Sequence, residues 1–184
     1  MFNAISSNNN HGGIQLQNSH YNQLKNLTAI LNSEDGIAID GSNNIISNAN
    51  TNSNSWDGIT IEGSKNSLSN IVADYNIYNG ISLRGSDNTL TNITAIYNYY
   101  NGIDLVNSYS AVLFNITVND NSWNGISMIG SSDNILSNIT AIHNTLDIIG
   151  NGGGIYIGTS DRNQLENITV YYNYNEGGIY ITSS

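Results

Sequence analysis

One short word recurs through the chain: a glycine, an isoleucine and, two residues further on, a second aliphatic side chain. Its glycines are Gly13, Gly36, Gly58, Gly80, Gly102, Gly125, Gly154 and Gly178, at intervals of 23, 22, 22, 22, 23, 29 and 24 residues. A near-constant period in this range is the mark of a solenoid, in which each repeat buries its apolar face only against its neighbours. The chain has no proline, is rich in isoleucine and lacks long stretches of helical period, so the repeating unit is built of strands. Leucine-rich repeats share the period, but their leucine scaffold is missing.

Each repeat alternates with a period of two. Ile37/Ile39, Ile59/Ile61, Ile81/Leu83, Ile103/Leu105, Ile126/Met128 and Ile155/Ile157 form inward pairs. The residues between them, Ala38, Thr60, Ser82, Asp104, Ser127 and Tyr156, then face solvent. Further along each repeat comes an apolar residue (Leu24, Ile46, Leu68, Leu90, Leu113, Leu136, Leu165) and, past an asparagine, a second one (Leu27, Ala49, Ile71, Ile93, Ile116, Ile139, Ile168). Short strands joined by tight polar turns, about 22 residues per circuit, describe a parallel β-helix whose coils stack at roughly 4.8 Å. The crossover rule makes the winding right-handed.

Asparagine fills fixed columns. Asn26, Asn48, Asn70, Asn92, Asn115, Asn138 and Asn167 form one, and Asn32, Asn54, Asn76, Asn98, Asn121, Asn144 and Asn173, six residues later, a second. A third holds Asn22, Asn44, Asn66, Asn88, Asn134 and Asn163, with Ala111 as its exception. Asparagine tolerates the left-handed backbone that a tight corner needs. A stacked amide can also donate to one neighbouring coil and accept from the other. Five members of the first column, Asn26, Asn92, Asn115, Asn138 and Asn167, stand in N-x-T sequons for N-glycosylation. The frame reading is preferred here, because Asn48 and Asn70 fill the same column without a sequon and a ladder amide is expected to be enclosed.

Composition narrows the partners. Fourteen acids against four bases give a net charge of -10, which argues against nucleic acid or an anionic membrane surface. No apolar run approaches the roughly 20 residues needed for membrane insertion. The chain has no cysteine, so disulfides and thiolate metal sites are excluded. The start, "MFNAISSNNN", is not a signal peptide.

The pattern G-I-x-L-x-G-S-x-N-x-L-x-N-I-T, as it stands from Gly80 to Thr94, resembles the right-handed parallel β-helix repeats of the pectin-lyase-like superfamily. It is closest to the NosD-like and carbohydrate-binding or sugar-hydrolase repeats of microbial surfaces. The resemblance spans essentially the whole chain and implies an all-β, single-stranded parallel β-helix of about eight coils of 22–24 residues. Lyases of this superfamily hold calcium with acids on one outer face, beside a basic proton abstractor. That set is not recognised here, nor is a His/Met cluster for copper, so no enzyme, catalytic residue, metal or cofactor is expected. The basic residues instead fall beside acids one coil away: Glu62 with Arg84, Lys65 with Asp87 and Asp133 with Arg162. Asp40 and Glu62 share a column, as do Asp120 and His143. Tyr75, Tyr97 and Tyr172, with Tyr99 and Tyr100 close by, are the candidates for stacking on a sugar ring.

The expected organisation is one domain, 1–184, with partial coils 1–12 and 178–184, a six-residue loop insertion within 145–153, and no evident end caps. Leu146, Ile148 and Ile149 of the insertion are expected to cover a neighbouring surface. The two partial coils suggest a structural protein, extracellular or on the cell surface, that stacks head-to-tail with itself into a filament. Asn3, Ile5, Ile14, Ile179 and Ile181 would then lie at the subunit contact. The alternative is an uncapped fragment of a larger cell-surface β-helix protein that binds, or processes, polysaccharide.

Overall fold

A computed structural model of the chain describes residues 2–144, 153–174 and 177–183. Its strands in chain order are β1 (Phe2–Ser7), β2 (Ile14–Leu16), β3 (Gln23–Ile30), β4 (Ile37–Asp40), β5 (Ile45–Asn50), β6 (Ile59–Glu62), β7 (Ser67–Val72) and β8 (Ile81–Ser86). They continue as β9 (Thr89–Thr94), β10 (Ile103–Tyr109), β11 (Val112–Thr117), β12 (Ile126–Ile129), β13 (Ile135–Ile142), β14 (Gly153–Gly158), β15 (Gln164–Tyr171) and β16 (Gly177–Thr182). Odd-numbered strands pair in sequence order into one eight-stranded parallel sheet and even-numbered strands into another. The chain is thus an all-β parallel solenoid that visits each sheet once per turn. The described residues contain no helix long and apolar enough to cross a membrane.

Like residues stack on like. Ile37, Ile59, Ile81, Ile103, Ile126 and Ile155 follow one another in register in the even sheet, and Leu24, Ile46, Leu68, Leu90, Leu113, Leu136 and Leu165 in the odd one. Most are wholly buried, whereas Leu165 and Ile168 in β15 are partly buried. The repeat glycine is required by closeness between coils: a Cβ on Gly58 would stand 2.6 Å from the carbonyl oxygen of Gly80. Small residues fill the adjacent corner, where Ala73, Ala95 and Ala141 are fully buried.

The exposed asparagine column lies within strands. Asn26 sits inside β3 with φ 55°, and its column mates adopt nearly the same angle. Leu24 and Leu27 both point inward although three residues apart, which strict alternation forbids. One left-handed residue between them absorbs the extra step, as in a bulge. In the second and third columns the left-handed residue is the one before the asparagine, such as Tyr75 before Asn76 or Lys65 before Asn66. The corner conformation expected of those asparagines therefore belongs to their neighbours, and the asparagines serve as connectors, buried except at Asn22, Asn163 and Asn173, which are partly exposed.

Hydrogen bonding shows how they connect. Asn76 Oδ1 accepts from the backbone N–H of Asn54 at 2.9 Å and from its side-chain amide at 3.2 Å, while Asn76 Nδ2 donates to Asn98 Oδ1 at 3.1 Å. In this column, as in the third, side-chain amides donate toward the C-terminal coil. The exposed column runs the other way: Asn48 donates to Asn26, Asn70 to Asn48 and Asn92 to Asn70. Where Ala111 interrupts the third column, β10 carries a register shift between Leu105 and Ser108, and Ser108 Oγ donates to the Leu83 carbonyl at 2.9 Å. Among the described residues every buried side-chain N or O atom has a partner.

Candidate functional site

Just before the repeat glycine, four consecutive coils read Trp56-Asp57-Gly58, Tyr78-Asn79-Gly80, Tyr100-Asn101-Gly102 and Trp123-Asn124-Gly125. The turn leading into each even strand thus presents an aromatic ring and an Asx side chain. Backbone N–H groups tie the aromatic residues into a column, Tyr78 donating to Trp56, Tyr100 to Tyr78 and Trp123 to Tyr100. The rings of Tyr78 and Tyr100 stack at 5.0 Å with 5° between planes, and Trp123 leans on Tyr100 at 4.9 Å. This column walls the outer face of the even sheet. Its floor is the register Gln15, Ala38, Thr60, Ser82, Asp104, Ser127, Tyr156 and Tyr180. Those positions face outward as their alternation requires, yet Ser82 and Ser127 are buried, so the face is recessed.

Three depressions run along it. The largest, about 600 Å³, lies between Tyr100, Trp123, Asp104, Tyr156 and Tyr180. Through Tyr78 it meets a second of about 380 Å³ beside Trp56, Asp57 and Arg84, which in turn shares Thr60 with a third of about 270 Å³ beside Asp40 and Glu62. Together they form a furrow along the solenoid axis.

Three of its carboxyls, Asp35, Asp57 and Asp104, are perturbed. Burial pushes Asp57 up to about 6, an effect reinforced by the neighbouring Asp35 and opposed by hydrogen bonds from Asn79 and Thr60. Burial also raises Asp35 and, in the furrow floor, Asp104, where a hydrogen bond from Ser127 and the charge of Arg84 work against it. A carboxyl that ionises near neutral pH can exchange a proton with a ligand. Asp35, Asp57, Asn79, Asn101 and Asn124 make a fourth ladder, beginning where the Asp57 N–H donates to Asp35 Oδ1 at 3.0 Å and ending where Gly153 N–H donates to Asn124 Oδ1 at 2.9 Å. Among the described residues no three His, Cys, Asp or Glu side chains gather as a metal-binding set.

The candidates read from the sequence are dispersed by the fold. Arg84 bonds Glu62 at 2.8 Å and Arg162 grips Asp133 with two nitrogens at 2.6 and 2.7 Å. Lys65 and Asp87 form no ion pair: an exposed lysine gains too little there to offset its lost freedom. His143 lies 3.7 Å from Asp120 and stacks on Tyr172. Of the five tyrosines, Tyr100 lines the furrow and Tyr99 leans on it, whereas Tyr75 and Tyr97 stack with each other in the corner column that also holds Tyr172. Ile14 is a core residue of the edge strand β2, whereas Asn3, Ile5, Ile179 and Ile181 are exposed. The sequon asparagines are exposed as well, which corrects the expectation that a ladder amide is enclosed. The insertion, with Leu146, Ile148 and Ile149, lies outside the described residues. Sequence reasoning passed over Asp57, Trp56 and Trp123, although the fourfold aromatic-Asx-Gly pattern was the signal for them.

Residues 79–184 match the family described as "Right handed beta helix region", so the chain belongs to that family. No curated protein sequence matches it. Among solved structures it is similar to a pectate lyase, with a TM-score of 0.80, 15% identity and coverage of 96% of this chain and 57% of that one. The A-module of a mannuronan C-5 epimerase from Azotobacter vinelandii superposes with a TM-score of 0.77, 13% identity and coverage of 97% and 54%. A tailspike protein of an Escherichia coli O157:H7 bacteriophage gives 0.74, 15% identity and coverage of 99% and 30%. The chain thus spans about half the length of the first two. Similarity at this identity shows the pectin-lyase-like fold, not the activity. These neighbours nevertheless overturn the expectation of a non-enzyme, because a lyase and an epimerase are built on this framework. That expectation rested on exposed ion pairs and overlooked the half-buried carboxyls of the furrow.

Proposed function

We propose that the protein is a polysaccharide-binding β-helix of the cell surface or envelope that holds an extended glycan along the furrow of its even sheet. The observation that carries this reading is the aromatic column Trp56, Tyr78, Tyr100 and Trp123 beside a polar, recessed floor. Sugar rings offer C–H faces to aromatic rings and hydroxyls to carboxyl, amide and hydroxyl groups, and the furrow supplies both. A repeating ligand fits a repeating site, since each coil offers one ring and one floor residue. The structural neighbours include a pectate lyase and alginate-type epimerases, and this supports a glycan over a head-to-tail filament. A periplasmic alginate epimerase, which is also similar in structure, and the phage tailspike support an envelope or extracellular setting.

Both tryptophans of the chain lie in the furrow wall, so their fluorescence reports occupancy. Titration with oligosaccharides should shift the emission saturably, and Tyr100→Ala should weaken binding by about tenfold. A fluorescence signal unmoved by every glycan class would end this reading.

A further inference from the structure

The furrow carries a charge imbalance that bears on which glycan it takes, an argument that rests on the binding reading above. Asp35, Asp40, Asp57, Glu62 and Asp104 line it, against Arg84 as the basic residue among the described lining positions. Arg84 is itself held by Glu62 at 2.8 Å. Lys25 lies in β3 of the other sheet, and Lys65 and Arg162 are corner residues before the third asparagine column. The whole chain adds to the same field at a net charge of -10.

A glycan bearing a carboxylate on every ring would set its charges against these acids in a recess partly closed to water, where like charges repel more strongly than in bulk solvent. Asp104 stands at the centre of the floor, in the largest depression, beside the tyrosine and tryptophan wall. A ring stacked on that wall therefore places its polar substituents near a carboxylate acceptor, and the cation nearby among the described residues, Arg84, is paired with Glu62.

We infer that the furrow takes a glycan carrying protonated amino groups and rejects polyuronates. Selectivity arises from charge, with the aromatic wall supplying affinity common to all sugars. Asp104 is the residue on which the preference for the amine depends most, because it combines a floor position with a carboxylate that no arginine or lysine neutralises by direct contact.

Three oligomers of equal length test this: glucosamine, its N-acetylated counterpart and glucuronate, in buffer at about pH 6.5, where a large part of the amines stays charged and Asp57, raised to about 6, is mostly ionised. Affinities come from tryptophan fluorescence and calorimetry. The free-amine oligomer should bind about tenfold tighter than the acetylated one, and the advantage should shrink at about 0.5 M salt. Glucuronate should fail to saturate. Asp104→Asn, which retains an acceptor for Ser127, should lower affinity for the amine form at least threefold more than for the acetylated form. Equal affinity for amine and acetylated forms, or saturable binding of glucuronate, overturns the charge selection while leaving glycan binding intact. Silence with all three overturns both.

Discussion

Asp57 accepts two hydrogen bonds through one oxygen, from the backbone N–H of Asn79 at 2.7 Å and from its side-chain amide at 3.0 Å. The carboxyl is nonetheless raised to about 6, because burial outweighs these bonds. A group whose folded pKa exceeds its unfolded value of 3.8 binds its proton more tightly when folded. Its contribution to stability is therefore greatest below about pH 4 and declines as pH rises through about 6. The gap corresponds to at most about 3 kcal/mol. Urea unfolding from pH 4 to 7.5 should show that decline, and the slope should flatten in Asp57→Asn. An identical slope in both proteins would exclude Asp57 as its source.

At neutral pH the same substitution should be stabilising by about 1–3 kcal/mol. Asn79 and Asn101 show that an amide at this position in the ladder can donate to the preceding coil while still accepting from the next. An asparagine at 57 would extend that run to Asp35 and relieve a like-charge contact. Thermal melts should rise by several degrees; a lower melting temperature would contradict the ladder account.

The buried and exposed asparagine columns should respond differently to truncation. Asn76→Ala strands the Asn54 N–H in the core, although the Asn54 amide keeps the Ala29 and Thr51 carbonyls, and should cost about 2–3 kcal/mol. Asn70 is exposed with φ 55°, so Asn70→Ala should lose about 1–2 kcal/mol, mainly backbone strain. Asn70→Gly should restore most of that loss, whereas Asn76→Gly should restore none of its own. Chemical denaturation of the four variants decides the matter.

The ion pair between Arg84 and Glu62 should contribute little to folding, since both side chains are more than half exposed. Arg84→Ala is expected to change stability by less than about 1 kcal/mol. A larger loss, measured by the same denaturation, would mean that the pair fixes the register of β6 against β8.

The side-chain periodicity made the solenoid legible because every inward position of Ile37, Ile59 and Ile81 repeats in register, and a two-residue period leaves no other face for them. The asparagine columns were legible as ladders for the same reason. What single repeats could not reveal was depth. Asn92 and Asn98 look alike in the sequence, but one is exposed within a bent strand and the other is sealed at a corner. Depth also hid the furrow. Asp104 reads as an outward residue among serines and threonines, and only the adjacent turn, with Tyr100 and Trp123 standing over the sheet, makes that outward face a recess. Lys65 and Asp87 were placed correctly in one column, but being neighbours in a column does not form a bond.

The donor sense of the ladders has an electrical consequence. A primary amide carries a dipole like that of a peptide group, about 3.5 D, and a file of them bonded head to tail adds along the axis. Two columns, those of Asn76 and Asn44, send side-chain donors toward the C-terminal coil, although in the second of these Asn66 and Asn88 donate back to the Gly41 and Gly63 carbonyls. The other two, those of Asn70 and Asn79, send theirs back. The opposed files act against one another. A solenoid that lengthens coil by coil therefore adds side-chain amide files of both senses together, unlike a long helix whose peptide dipoles all point one way.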